Sequence, residues 1–219
     1  MGFKKVTGVG WEGDNMSFNN TEPGILLQHN IPKPLHGVNP RSIMGNNWWN
    51  KERQLAYQST DYHCIACGVH KNDALLHHWL EAHEIYTIDY EKGLVTFIRV
   101  VPLCSYCHKY IHNGLLYIHL VTNKISVDTF WDILKFGTNL LIEHNMTPNI
   151  FVLNLIKKLY LDCISMPIWA SDTIKRYTIP KQNIRLPEWN TWRLSFNNTL
   201  YKPLYSSYEE WTNHFNKEE

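Results

Sequence analysis

Two Cys-x-x-Cys pairs constrain the fold of this chain more than any other feature of its sequence. Cys64 and Cys67 form the first pair, Cys104 and Cys107 form the second, and residues 68–103 separate them. Each pair supplies two thiolate ligands from one tight turn, so two pairs complete the four ligands of a tetrahedral zinc site. The separation exceeds that of a zinc ribbon, which indicates a hairpin inserted between the pairs. Four unrelated core cysteines are the alternative, but two intact pairs, followed by Gly and His, favour zinc.

Composition excludes several classes of protein. The chain is 44% hydrophobic and 19% charged, which is typical of a soluble globular protein. A net charge of +1 is not that of a protein that coats nucleic acid by charge alone. We expect a cytoplasmic, intracellular protein without a membrane partner, because neither a membrane span nor a secretory signal is found. Cysteines in such a reducing compartment bind metals or pack, and Cys163 is predicted to be a small buried hydrophobe.

Three segments of the chain differ in composition. Residues 1–46 are rich in Gly, Asn and Pro, which predicts an extended N-terminal arm that wraps the body. Residues 47–118 contain both cysteine pairs and are predicted to form a zinc domain. Residues 119–219 are expected to form a mainly helical C-terminal extension packed on this core. The chain as a whole is therefore predicted to be α+β.

Hydrophobic periodicity predicts the elements of the zinc domain. A short helix is expected over residues 47–59, ahead of the first cysteine pair. Residues 75–90 and 94–103 read as two strands joined by a turn at Gly93, where a positive φ is expected. A short helix follows from Cys107 and is predicted to stop near Asn113-Gly114. The predicted order is strand, turn, strand, helix.

The C-terminal extension is predicted from a different pattern. Residues 127–144 have helical periodicity, and Pro148 opens a second, mostly apolar helix that should be buried. Two short strands are predicted on either side of Asn197-Asn198. A capping-box pattern starting at Ser207 predicts a last short helix.

Histidines near the second cysteine pair suggest a second metal site. His108 and His112 are four residues apart, so on a helix they share one face and can bind the same ion. His83 lies on the preceding strand, next to Glu84, and that strand can cross the helix face. The three histidines would leave positions open for water and substrate, as a catalytic metal requires. Alternatively they only pack the zinc module, or one replaces a cysteine, although four cysteines already saturate a zinc.

These motifs resemble the zinc-containing HNH endonuclease family. The resemblance rests on the first CxxC, on LEAHEI and on PLCSYCHKYIH, and it covers residues 64 to about 115. It implies a ββα-metal core with a treble-clef zinc held by the four cysteines. It also implies that His83, His108 and His112 bind a catalytic divalent ion, Mg, Mn, Ni or Zn, at the scissile phosphate.

Two positions depart from the family pattern. Glu84 stands where the family has its general-base histidine, and it can act as the base or as a further metal ligand. An ordinary Glu, with a pKa of about 4.3, is a weaker base than His at neutral pH. Arg99 stands where the family has a bracing asparagine, and it can grip a phosphate bidentately. Lys109 is a second candidate for phosphate contact.

The resemblance implies an HNH-like endonuclease that hydrolyses phosphodiester bonds, with DNA as the expected substrate. The alternative is a catalytically inactive zinc module that binds nucleic acid or a protein partner, for example as a phage or defence-system effector. Glu84 and Arg99 favour the inactive module, whereas the intact Cys-His-x-x-x-His run favours the enzyme. A scaffold with only a structural zinc is the third hypothesis.

Overall fold

The computed structural model describes residues 20–161, 166–177 and 186–215. Within these ranges the chain is α+β, with seven α-helices and one four-stranded sheet. The elements are α1 (Pro40–Ser59), β1 (Glu81–Asp89), β2 (Leu94–Leu103), α2 (Ser105–Ile111), α3 (Asn113–Val121), α4 (Val127–Glu143), α5 (Ile150–Leu161), α6 (Ile168–Arg176), β3 (Arg193–Phe196), β4 (Thr199–Tyr201) and α7 (Tyr208–Phe215).

The hairpin between the cysteine pairs is present. Strands β1 and β2 pair antiparallel, with His83 opposite Val101, and the register shifts at a bulge between Ile85 and Tyr86. The bounds predicted for β2 are confirmed. The prediction for β1 was too long, because the strand begins only at Glu81. The preceding residues 75–80 (LLHHWL) do not alternate between apolar and polar side chains, and they form no strand.

Two further strands extend this sheet from the far end of the sequence. Strand β3 pairs parallel to β2, and β4 pairs antiparallel to β3, which gives the order β1-β2-β3-β4. Asn197 and Asn198 form the turn between them with φ values of 48° and 59°. Asparagine tolerates this left-handed conformation, which two-residue hairpin turns require. The predicted strands on either side of these residues are confirmed.

The helix after the second cysteine pair ends close to the predicted stop, but a second helix follows it directly. The first of the two, α2, begins at Ser105, and a new helix, α3, starts at Asn113, where we expected a stop. The break falls at His112, whose ψ of 45° is not helical. The side-chain amide of Asn113 donates to the carbonyls of Tyr110 (3.3 Å) and Ile111 (3.1 Å), so it satisfies the end of α2 while opening α3.

Two hydrophobic clusters of buried residues include residues of the sheet. The larger one contains the four paired cysteines and residues of α2 and of the predicted helices α4 and α5. Tyr110 of α2 is fully buried in it, against Gly137 of α4. The smaller cluster joins the N-terminal arm and α1 to β2 and β3, around Trp192 and Val95.

The described part of the arm, residues 20–39, wraps the body through two 3₁₀ turns, Pro23–Leu27 and Lys33–Leu35. The buried Asn149 amide donates to the Leu26 carbonyl at 3.1 Å and so ties the first turn to the start of α5. Helix α1 begins earlier than predicted, at Pro40, and bends at Gly45, whose φ is 81°.

Residues 1–19 of the predicted arm and Cys163 lie outside the described residues. In the part of the chain that is described, no helix combines the length and the apolar character needed to cross a bilayer.

Candidate functional site

The four paired cysteines lie together at the base of the hairpin. Their sulfur atoms are all within 4.8 Å of one another, an arrangement that can hold a metal ion such as zinc. Three of the residues are buried, and Cys67 is partly exposed. All four are free thiols rather than disulfides. The predicted pairing of the two CxxC turns into one cluster is therefore observed.

The spacing of the sulfurs fits zinc. Cys67 Sγ lies 3.7 Å from Cys104 Sγ. Four sulfurs about 2.3 Å from a central zinc at tetrahedral corners are separated by about 3.8 Å, whereas a disulfide bond is about 2.05 Å long. Burial alone would raise the pKa of Cys64, yet hydrogen bonds from the other three cysteines lower it well below its ordinary value, whereas hydrogen bonds within the same cluster raise the pKa of Cys67 and of Cys107. A thiolate is the form that binds zinc.

Backbone hydrogen bonds shape the first knuckle and fix it to the sheet. The Gly68 N–H donates to the Cys64 carbonyl at 2.8 Å, and Gly68 has a φ of 76°, which favours glycine. The Ile65 N–H donates to the Pro102 carbonyl at 3.0 Å, so the first knuckle is joined to the end of β2. The second knuckle then leads directly into α2, which starts at Ser105.

Three histidines from β1 and α2 form a second cluster beside the first. One ring nitrogen from each of His83, His108 and His112 lies within 4.8 Å of the other two. His112 Nε2 is 3.2 Å from His83 Nδ1, close to the roughly 3.4 Å expected for two nitrogens about 2.1 Å from a tetrahedral zinc. The predicted convergence of strand and helix is thus observed, and these residues can hold a metal ion.

Burial disfavours the charged forms of His83 and His112. His83 is 6% exposed, and burial lowers its pKa well below the ordinary value. Burial lowers the pKa of His112 to about 4. The Nε2 atom of His83 is buried and has no hydrogen-bond partner among the described residues. A buried polar atom without a partner is costly, but an ion bound between His83 Nδ1 and His112 Nε2 would not contact it.

Sequence reasoning missed Glu81, which belongs to this cluster. Glu81 lies two residues before His83 on the same face of β1, and its Oε2 is 2.8 Å from His108 Nδ1. Ser105 Oγ donates to its Oε1 at 2.6 Å. Burial would raise the pKa of Glu81, but the hydrogen bond and charge of His108 lower it to about 2. The signal was available, since a carboxylate two residues before a strand ligand shares its face.

Glu84 faces a cleft that it shares with two of the histidines. The cleft has a volume of ≈ 480 Å³ and is lined by Glu84, His83 and His112 together with residues of the N-terminal arm. Burial raises the pKa of Glu84. A carboxylate with a raised pKa is a better proton acceptor than an ordinary one.

The two predicted phosphate-contacting residues lie elsewhere. Arg99 is not among the residues that line the cleft, and its guanidinium pairs with the carboxylate of Glu22 on the arm. Lys109 also lies outside the cleft lining, although its charge helps to lower the pKa of His112 and Glu81. The structure therefore brings the predicted cysteines, histidines and Glu84 to adjacent sites but does not bring Arg99 to the cleft.

Comparison with known proteins gave no matching family model, no matching curated protein and no matching solved structure.

Proposed function

We propose that this chain is an HNH-like, metal-dependent endonuclease that hydrolyses phosphodiester bonds in nucleic acid, with DNA as the first substrate to test. The observation that carries the proposal is the cluster of His83, His108 and His112, with ligand nitrogens within 4.8 Å of one another. A solely structural zinc at the four cysteines has no use for a second buried ligand set beside it.

The arrangement of the elements supports an HNH-like ββα core with a treble-clef zinc. Strands β1 and β2 lie between the two knuckles, and α2 follows the second knuckle directly. In this proposal the four cysteines hold a structural zinc that fixes where α2 starts. The zinc thereby sets the position of His108 and His112 relative to β1.

The residues of the second cluster have separate roles in the proposed reaction. The three histidines would hold a divalent ion, Mg, Mn, Ni or Zn, which would stabilise the charge that develops on the phosphate. Glu84 lines the same cleft and accepts the proton of the attacking water. Glu81 holds His108 in one tautomer through the bond to Nδ1. Arg99 would have to leave Glu22 before it could contact phosphate.

Nicking of supercoiled plasmid tests the proposal. We expect cutting of plasmid or of single-stranded DNA with at least one of Mg, Mn, Ni and Zn, and loss of cutting in His83→Ala and His108→Ala. His144→Ala is the matched control, because His144 is an exposed residue whose ring bonds to the carbonyl of Leu140, four residues earlier in the chain. Cutting that persists in both cluster variants would falsify the enzymatic proposal.

The ion pair between Arg99 and Glu22 favours one second candidate function. A zinc module that has lost cleavage would keep the fold and use it to bind nucleic acid or a protein partner. Stable binding of DNA by the wild-type protein, without cutting under any of the four metals, would support this inactive module.

A further inference from the structure

The N-terminal arm forms one wall of the cleft that contains the histidine cluster. Six polar side chains of the arm line this wall: Gln28, His29, Asn30, Lys33, His36 and Asn39. The opposite lining comes from β1 and from the junction of α2 with α3. The arm therefore does more than wrap the body, because it completes the surface next to the proposed reactive site.

Gln28 fixes this wall to the strand that carries His83 and Glu84. Its Nε2 donates to the Glu84 carbonyl at 3.3 Å, and its Oε1 accepts from the Tyr86 N–H at 3.4 Å. Both bonds are made beside the point where the register between β1 and β2 shifts, between Ile85 and Tyr86. The wall is thus attached to the backbone of the reactive strand itself.

Few charged side chains line the cleft. Among the described residues that line it, Lys33 is the one cation and Glu84 the one carboxylate. Burial lowers the pKa of His29 and of His36, so both rings are neutral hydrogen-bonding groups at pH 7.

Lys33 is held in place by two rings of α7. Its Nζ lies 4.8 Å from the ring centroid of Tyr208 and 4.9 Å from that of Trp211. The two rings stack on each other with an angle of 22° between their planes. Cation–π contacts of this kind restrain the ammonium group while leaving its N–H donors available to an anion.

We propose that the arm wall binds the sugar–phosphate backbone of the substrate strand, with Lys33 contacting a phosphate that flanks the scissile one. This inference rests on the proposed function. Phosphate contacts from Lys and amide groups position a nucleic acid without reading its sequence. Gln28 and Lys33 are five residues apart, so their Cα atoms are separated by at most about 18 Å. A nucleic-acid strand that lies beside Gln28 is therefore within reach of Lys33. A chain of net charge +1 must obtain its phosphate binding from such local, fixed contacts.

Oligonucleotide binding tests the inference. The full-length protein is titrated into a fluorescein-labelled single strand and into the matching duplex, without added divalent ion, over a range of NaCl concentrations. We expect Lys33→Gln to weaken binding of the single strand by about tenfold. We also expect it to reduce the salt slope, the slope of log K against log NaCl concentration, by about one in magnitude. Lys33→Arg should restore binding, and Tyr208→Leu should weaken it in the same direction. Lys92→Gln, in the exposed β1–β2 turn where Lys92 pairs with Asp89, should bind as wild type.

The outcomes separate this inference from the proposed function. Unchanged affinity and salt slope in Lys33→Gln would overturn the inference, even where His108→Ala abolishes nicking and the enzymatic proposal stands. Weakened binding in Lys33→Gln, rescued by Lys33→Arg, supports the inference even where the wild type cuts no DNA. Equal weakening in Lys33→Gln and Lys92→Gln would show a general effect of charge and would also overturn it.

Discussion

Glu81 Oε2 accepts a hydrogen bond from His108 Nδ1 over 2.8 Å, and the pair joins the first residue of β1 to the middle of α2. An ionised carboxylate only accepts hydrogen bonds, so Nδ1 of His108 carries the proton. The other ring nitrogen, Nε2, is then the one with a lone pair for the cluster it forms with His83 and His112. Metal-binding histidines in proteins are oriented in this way by carboxylates.

Removal of Glu81 should weaken metal binding at the histidine cluster without affecting zinc at the cysteines. We expect Glu81→Ala to lower the affinity for Ni²⁺ by 10- to 100-fold, because His108 loses its orienting acceptor. Glu81→Gln should lose less, since the amide oxygen can still accept the bond. Calorimetric titration of zinc-loaded protein measures the affinity, with the exposed turn variant Glu91→Gln as control. Wild-type affinity in Glu81→Ala would mean that the hydrogen bond has no bearing on metal binding.

Loss of one knuckle thiol should release the structural zinc and unfold the hairpin region. We expect elemental analysis to find zinc in the wild type and none retained in Cys64→Ser, and the thermal transition to fall sharply, because structural zinc contributes folding energy directly. Cys163→Ser is the control, since Cys163 belongs to neither pair, and it should keep its zinc. Equal zinc content in both variants would exclude the four-cysteine site.

The sequence predicted those parts of the site whose residues are close in the chain or follow a fixed period. The second cysteine pair and the spacing of His108 and His112 lie within one short run, and β2 is a continuous β-branched and aromatic stretch. The turn at Asn197-Asn198 was readable because asparagine tolerates positive φ. In each of these cases a local preference agrees with the final fold.

Contacts between distant segments could not be predicted in this way. Gln28 meets β1 across 56 residues, and no local pattern marks a glutamine as the partner of a bulge. The same holds for the ion pair of Arg99 with Glu22, which are 77 residues apart. The restart of the helix at Asn113 was missed for a different reason, because Asn-Gly normally ends a helix and here the Asn side chain caps one helix while opening the next.

Gly137 is expected to set the position of α2 through Tyr110. A Cβ at residue 137 would overlap the buried Tyr110 ring. We expect Gly137→Ala to lower the free energy of unfolding by about 1–3 kcal/mol, as overpacking does, and to shift α2 with its two histidines. Chemical denaturation measures the first effect, and Ni²⁺ affinity measures the second.

The matched control for this substitution is Gly114→Ala. Gly114 is an exposed helical glycine with no atom within 4 Å of where a Cβ would lie, so alanine should raise the free energy of unfolding by up to about 1 kcal/mol. A destabilised Gly114→Ala together with an unaffected Gly137→Ala would contradict the packing described for α2 and α4.

Acidification should destabilise the arm through His29 and His36. Burial lowers the pKa of both rings in the folded protein, and the charge of Lys33 adds to the effect at His36. Once the pH falls below about 6.5, the unfolded chain binds more protons than the folded one. The free energy of unfolding therefore decreases as the pH falls further below this value. We expect the thermal midpoint to fall less between pH 7.5 and 5.5 in the double variant His29→Gln/His36→Gln than in the wild type. His83, His108 and His112 are common to both proteins, so their contribution cancels in this comparison. Parallel declines in the two proteins would show that neither arm histidine resists protonation in the fold.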